Sequence, residues 1–190
     1  MFNSLAKALP ERVPAESGIP LHGFTIRGQR NGRAFSSIFF YSGGQGARPG
    51  RDGLPTLSFP TNVSNTPVEI LEQTLPLRVH EKELLPQSGG TGRYRGGPGQ
   101  RVRLEVLNEE GANLVLLSQR LRYPAVGRQG GTDGSLEHVR LNGAPVEGGR
   151  PFDLAQGDEF TLDLPGGGGF GPSAARAPAQ QARDRDEGVL

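Results

Sequence analysis

Four arginines, Arg48, Arg51, Arg93 and Arg95, lie inside two glycine-rich segments, "GGQGARPGRDG" (43–53) and "SGGTGRYRGGPGQ" (88–100). Guanidinium groups bind carboxylate and phosphate through paired hydrogen bonds. Glycine lets the backbone approach a ligand or another chain closely, and successive N–H groups in such loops can cradle an anion. A third segment, "PGGGGFGP" (165–172), has glycines but no arginine. Tight turns in a β fold are the competing explanation, and the better one for any single segment, because glycine is a common turn residue. For each arginine the competing role is solvation or a structural ion pair. Asn62 and Asn65 lie three apart between Pro60 and Pro67. Their amides can hold a substrate amide or satisfy loop backbone. Glu69 and Glu72 share one face of a short helix. Paired carboxylates can do acid–base work or bind a metal, and an exposed helix face explains them equally well.

Several chemistries are excluded or unsupported. The chain has no cysteine, so disulfides, thiol catalysis and cysteine zinc sites are ruled out. The three histidines, His22, His80 and His138, are scattered and fit no ligand motif, so no metal site is expected within the chain. No glycine precedes Lys-Ser or Lys-Thr, so there is no P-loop. No helical stretch follows "GGTGRYRGG", so it is not a dinucleotide fingerprint. ATP binding by this chain alone is therefore unsupported. No "G-x-S-x-G" nucleophile elbow occurs. The "RYRGG" element suggests single-stranded nucleic acid, but 21 basic against 20 acidic residues, three tyrosines and no tryptophan argue against it. No apolar run approaches the ~20 residues of a membrane span. The first residues are too polar, and too soon interrupted by Pro10, for a secretory signal. The expected location is the cytoplasm.

The elements that must position these residues are short. The 190 residues suggest one domain or a little more, with 30 glycines and 16 prolines set between apolar runs. The expected fold is mainly β (α+β), with turn-rich antiparallel sheets and two or three short helices. "NSLAKALPERV" predicts a helix capped by Asn3 or Ser4 and stopped by Pro10. "LHGFTIRGQ" and "RAFSSIFFYSGG" predict strands around an Asn31-Gly32 turn. Thr66 as N-cap, Pro67 at N1 and Glu69 at N3 predict a helix over 67–75. "PLRVHEKELLP" alternates Leu77 and Val79 with Arg78 and His80. Val102, Leu104 and Val106 define one face of a strand–turn–strand unit around Glu110-Gly111, and Asn142-Gly143 predicts a further turn. Residues 1–172 form the main region, and 173–190 a polar tail, either a short helix or disordered.

Four segments in order, "GGQGARPGRDG", "FPTNVSNTPVEILE", "SGGTGRYRGGPGQ" and "LPGGGGFGP", resemble the C-terminal part of the hydantoinase B/5-oxoprolinase family. The resemblance covers nearly the whole chain. It implies a component of an ATP-dependent enzyme that opens cyclic amides such as 5-oxoproline or hydantoins, or, in a related branch, carboxylates ketones. It implies a hydantoinase A-type partner subunit or domain that binds ATP and activates the substrate carbonyl. ATP and a divalent metal are thus expected in the full complex and not on this chain alone. Family members are several times longer, and their "GGTHLPD"-like segment, which supplies metal ligands in the carboxylase branch, does not occur here. The chain is thus expected to be a fragment or split subunit, either catalytic in assembly or a non-catalytic β-rich assembly module. Gly171 is followed directly by Pro172, where the family usually has an intervening aspartate. The resemblance makes Arg48, Asp52, Asn62, Asn65, Arg93 and Arg95 the candidate substrate-binding residues and leaves the catalytic residues unassigned.

Overall fold

Strand β4 (Gln100–Val106) shows how this chain builds its core. Val102, Leu104 and Val106 are buried, while Arg101, Arg103 and Glu105 alternate on the other face. The computed structural model describes every residue except Met1, Ser58, Asn62, Gly148, Gly149 and Leu190. The other strands are β1 (His22–Arg30), β2 (Arg33–Tyr41), β3 (Leu77–Leu84), β5 (Ala112–Leu116), β6 (His138–Leu141), β7 (Ala144–Pro145), β8 (Phe152–Leu154) and β9 (Glu159–Asp163). They form a four-stranded sheet, β2-β1-β5-β8, and a five-stranded sheet, β3-β4-β9-β6-β7. Every adjacent pair is antiparallel. Helices α1 (Phe2–Ala8), α2 (Val68–Thr74) and α3 (Pro178–Asp186) and one 3-10 turn (Ser173–Ala175) complete the elements. The mainly β fold with few short helices is thus the one expected.

The two sheets share one apolar cluster. Phe24 and Ile26 of β1, Phe39 and Tyr41 of β2, and Leu114 and Leu116 of β5 meet Leu104, Phe160 and Leu162 of the other sheet. Phe24 sits edge-on to Phe160, with ring centroids 6.0 Å apart. Asn31-Gly32 and Asn142-Gly143 close the β1–β2 and β6–β7 hairpins, each with positive φ at both residues, as that turn type requires.

Two local expectations shift. Helix α1 begins at Phe2, so Asn3 and Ser4 lie within its first turn and not at the N-cap position. Helix α2 begins at Val68 with Pro67 as N-cap and no side-chain cap, so the expected capping box does not form. Its hold is apolar: Leu71 and Leu75 are buried. The strand–turn–strand unit around Glu110-Gly111 forms as expected, as β4 and β5, but its two strands do not pair with each other. β4 pairs with β3 and β9, whereas β5 pairs with β1 and β8. The Asn108–Gly111 turn therefore carries the chain from one sheet to the other, and both strands still bury one face.

Outside the sheets, the glycine segments build a lattice of backbone hydrogen bonds around residues 165–171. The N–H groups of Gly167 and Phe170, three residues apart, donate to Gly97 and Tyr94 of the 88–100 segment. Between them, Gly168 donates to Glu16 and Gly169 to Thr132. In return, the carbonyls of Gly167, Gly168 and Gly169 accept from Gly90, Ala47 and Arg128. Bonds leaving in three directions over three residues suit the three-residue turn of a polyproline-II-type chain, which has no internal hydrogen bonds. Such packing tolerates no side chain at the central positions. A β-carbon on Gly167 would lie 2.2 Å from the Gln45 carbonyl oxygen, and one on Gly44 would lie 1.8 Å from that of Gly97.

Candidate functional site

The lattice fixes the stems of the loop carrying Arg48 and Asp52. Ala47 N–H bonds Gly168 O, and Gly53 N–H bonds Arg95 O. Between the stems, Arg48-Pro49-Gly50-Arg51 forms a tight turn with two mutual backbone bonds, Arg48 N–H to Arg51 O at 3.1 Å and the reverse at 3.0 Å. Proline at the second position and a positive φ of 86° at Gly50 make it a type II turn. Arg48 also lines a cavity of about 300 Å³ with Glu16, Pro20, Phe59, Pro60 and Arg120. The Arg120 guanidinium is committed to structure. It donates to the carbonyls of Gly18 (2.9 Å), Ser17 (3.2 Å) and Pro124 (3.2 Å) and pairs with Glu16 at 3.1 Å. Arg48 is exposed, and its guanidinium has no hydrogen bond or ion pair among the described residues.

Asp52 and Arg95 meet in a part-buried ion network with two residues from the tail. Both Asp52 oxygens accept from Arg176, at 2.8 and 2.9 Å, and Oδ1 also accepts the Arg95 backbone N–H at 2.7 Å. Asp184, at the end of α3, takes two more bonds from Arg176, at 2.7 and 2.8 Å, and one from the Arg95 side chain at 3.2 Å. The side chains of Arg176 and Asp184 are only 7% and 3% exposed. Burial raises the Asp52 carboxyl, but hydrogen bonds from Arg176 and Arg95 more than offset this and hold it below the usual range. Hydrogen bonds to Asp52 and Asp184 hold Arg176 firmly charged.

The remaining candidates occupy different surroundings. Asn65 accepts from Ser42 N–H (3.2 Å) and Gln100 Nε2 (3.3 Å) and donates to Thr56 O (3.4 Å), so its amide secures loop backbone. Arg93 is exposed, with its guanidinium 5.5 Å from the Tyr94 ring centroid, and its carbonyl accepts from Arg176. Asn62 lies outside the described residues. Glu72 accepts the Val79 N–H at 2.7 Å, next to the bulge between Val79 and Glu81 where the register of β3 against β4 shifts. Thus the structure joins Asp52 to Arg95, places Arg48 at the cavity, and sets Asn65 in a separate backbone-binding role.

Three features were not anticipated from sequence. Arg176 and Asp184 sit in the polar tail, and their partner Asp52 is 124 residues from Arg176. Fully buried His22 bonds Glu137 at 2.8 Å. Burial raises the Glu137 carboxyl, yet the hydrogen bond and charge of His22 bring it below the usual range. Asp163, buried under the five-stranded sheet's charged face, accepts from Arg101 (2.6 Å) and Arg140 (2.7 Å), which outweigh burial and depress its carboxyl. Asp52, Glu137 and Asp163 therefore contribute stability that is present above the unfolded-state carboxyl range near ~4 and lost as pH falls through the lower folded values. We expect the melting temperature to drop steeply below about pH 4. Asp163→Asn should flatten that slope in a pH series of thermal melts.

Among the described residues, no group of three or more histidine and carboxylate side chains could hold a metal ion. No helix among them is long and apolar enough to cross a membrane. The hydantoinase B/oxoprolinase profile matches residues 1–173, and the chain belongs to that family. It is 30% identical over 204 residues to the caprolactamase subunit beta of Pseudomonas jessenii, covering 98% of this chain and 35% of that protein. It is 31% identical over 136 residues to 5-oxoprolinase of Dictyostelium discoideum, covering 68% of this chain and 11% of that protein. The crystal structure of the ATP-dependent caprolactamase from Pseudomonas jessenii superposes with a TM-score of 0.84 at 26% identity, over 98% of this chain and 35% of that one. The chain thus spans about a third or less of the length of these relatives.

Proposed function

We propose that this chain is one region of a component of an ATP-dependent cyclic-amide hydrolase, opening 5-oxoproline or hydantoin-type rings with a hydantoinase A-type, ATP-binding partner in the cytoplasm. The carrying observation is that nearly the whole chain matches a subunit of an enzyme described as an ATP-dependent caprolactamase, in sequence and in fold. In this reading Arg48, Arg93 and Arg95 are the anion contacts, Asn62 the amide contact, Asn65 the amide that holds the loop backbone, and Asp52 the group that holds the Arg95 backbone in place. ATP and a divalent metal belong to the full complex. The residues described here do not form a metal cage, so no step is assigned to a metal on this chain.

A second reading, a non-catalytic β-rich assembly module, draws on a specific observation. The lattice glycines direct many of their N–H groups to the chain's own backbone, and Arg95 and Asp52 are tied to Asp184 and Arg176. The assembled enzyme separates the readings. With ATP and 5-oxoproline, hydantoin or caprolactam, lactam-dependent phosphate release is expected. Phosphate release that depends instead on a ketone and bicarbonate would replace hydrolysis with the carboxylase branch. Loop-arginine variants with full turnover and normal assembly would favour the assembly module.

A further inference from the structure

The Arg48–Arg51 turn holds two like charges in register. A mutually hydrogen-bonded antiparallel pair sets its α-carbons about 5.5 Å apart with both side chains on one face, and like charges so placed repel. Neither guanidinium has a counter-ion among the described residues. The nearby carboxylates are engaged elsewhere: Asp52 with Arg176 and the Arg95 N–H, Glu16 with Arg120 and the Val126 N–H. The turn cannot easily splay to relieve the repulsion. Pro49 and Gly50 set its geometry, and Ala47 and Gly53 are pinned to the lattice. The Arg48 side borders a cavity walled by Phe59, Pro60 and Pro20. A rigid backbone turn carrying two unneutralised guanidiniums, beside a recess walled mostly by apolar residues with the Glu16–Arg120 pair at its edge, matches a ligand with an oxyanion at one end and a short apolar body at the other.

We propose that this turn and cavity bind a small organic acid, its carboxylate held by Arg48 and Arg51 and its carbon skeleton lying against Phe59, Pro60 and Pro20. The geometry stands by itself, and the identification of the acid as the open-chain product or substrate end of a cyclic amide rests on the function proposed above. Phosphate shares the oxyanion chemistry without the apolar body.

The test is titration of the purified protein, in its assembled form, with hexanoate, acetate and inorganic phosphate at constant ionic strength. Saturable hexanoate binding is expected, tighter than acetate or phosphate. Arg48→Gln and Arg51→Gln should each weaken it about tenfold, while Arg33→Gln, an exposed arginine on β2, should leave it unchanged. No saturable binding, equal affinity in the turn variants, or equal loss in Arg33→Gln would overturn the site. Phosphate binding more tightly than hexanoate would overturn the apolar half and point to a phosphorylated ligand. Lactam-dependent turnover in the parent enzyme without hexanoate binding would sink this site and leave the proposed function standing. Hexanoate binding without lactam-dependent turnover would do the reverse.

Discussion

Gly167→Ala is expected to destabilise the protein by more than about 4 kcal/mol, lowering the melting temperature by roughly 10 °C or more. The added β-carbon would lie 2.2 Å from Gln45 O, 2.3 Å from Gln45 C and 2.5 Å from Gly46 N. All three are backbone atoms, so no rotamer change relieves the clash. The segment must move, and with it the bonds joining Gly167 to Gly97 and Gly90. Gly157 supplies the control. Its φ of 84° strains alanine, but the space around it is open, so Gly157→Ala should cost only about 1–2 kcal/mol. Thermal or urea melts of the two variants decide the matter. Equal small losses would mean that the glycines are not packed as a lattice.

Arg176→Ala should have a comparable effect, about 3–5 kcal/mol. The guanidinium bridges Asp52 and Asp184, and its removal leaves two carboxylates facing a part-buried space with only Arg95 between them. Arg176→Lys should recover little, because one ammonium cannot reproduce two forked pairings. Hydrogen exchange adds a local readout: amides of α3 (Pro178–Asp186) should lose protection in Arg176→Ala before those of β4. Unchanged α3 protection would show that the tail is held by something other than this network.

What could be read from sequence followed local physics. The Asn31-Gly32 and Asn142-Gly143 turns and the alternation of Val102, Leu104 and Val106 each need only a few neighbouring residues to specify their structure. Where long-range pairing decided, the sequence was mute. Nothing in "VLNEEGANL" says whether β5 folds back on β4 or crosses to β1. Nothing near Asp52 points to Arg176. Single glycine motifs were ambiguous between turn, anion cradle and packing, because all three use the same lack of a side chain. Their mutual hydrogen bonds show what the lattice glycines do here, and that role depends on segments far apart in sequence meeting at residues 165–171.

That the lattice presents loop arginines to an anionic substrate is tested most directly by steady-state kinetics of the complete assembled enzyme carrying Arg48→Ala. Arg48 is exposed and unpaired among the described residues, so its loss should leave assembly and melting temperature unchanged. Lactam-dependent ATP turnover is expected with kcat/KM lowered about tenfold or more. Undiminished kcat/KM in a normally assembled variant would contradict it.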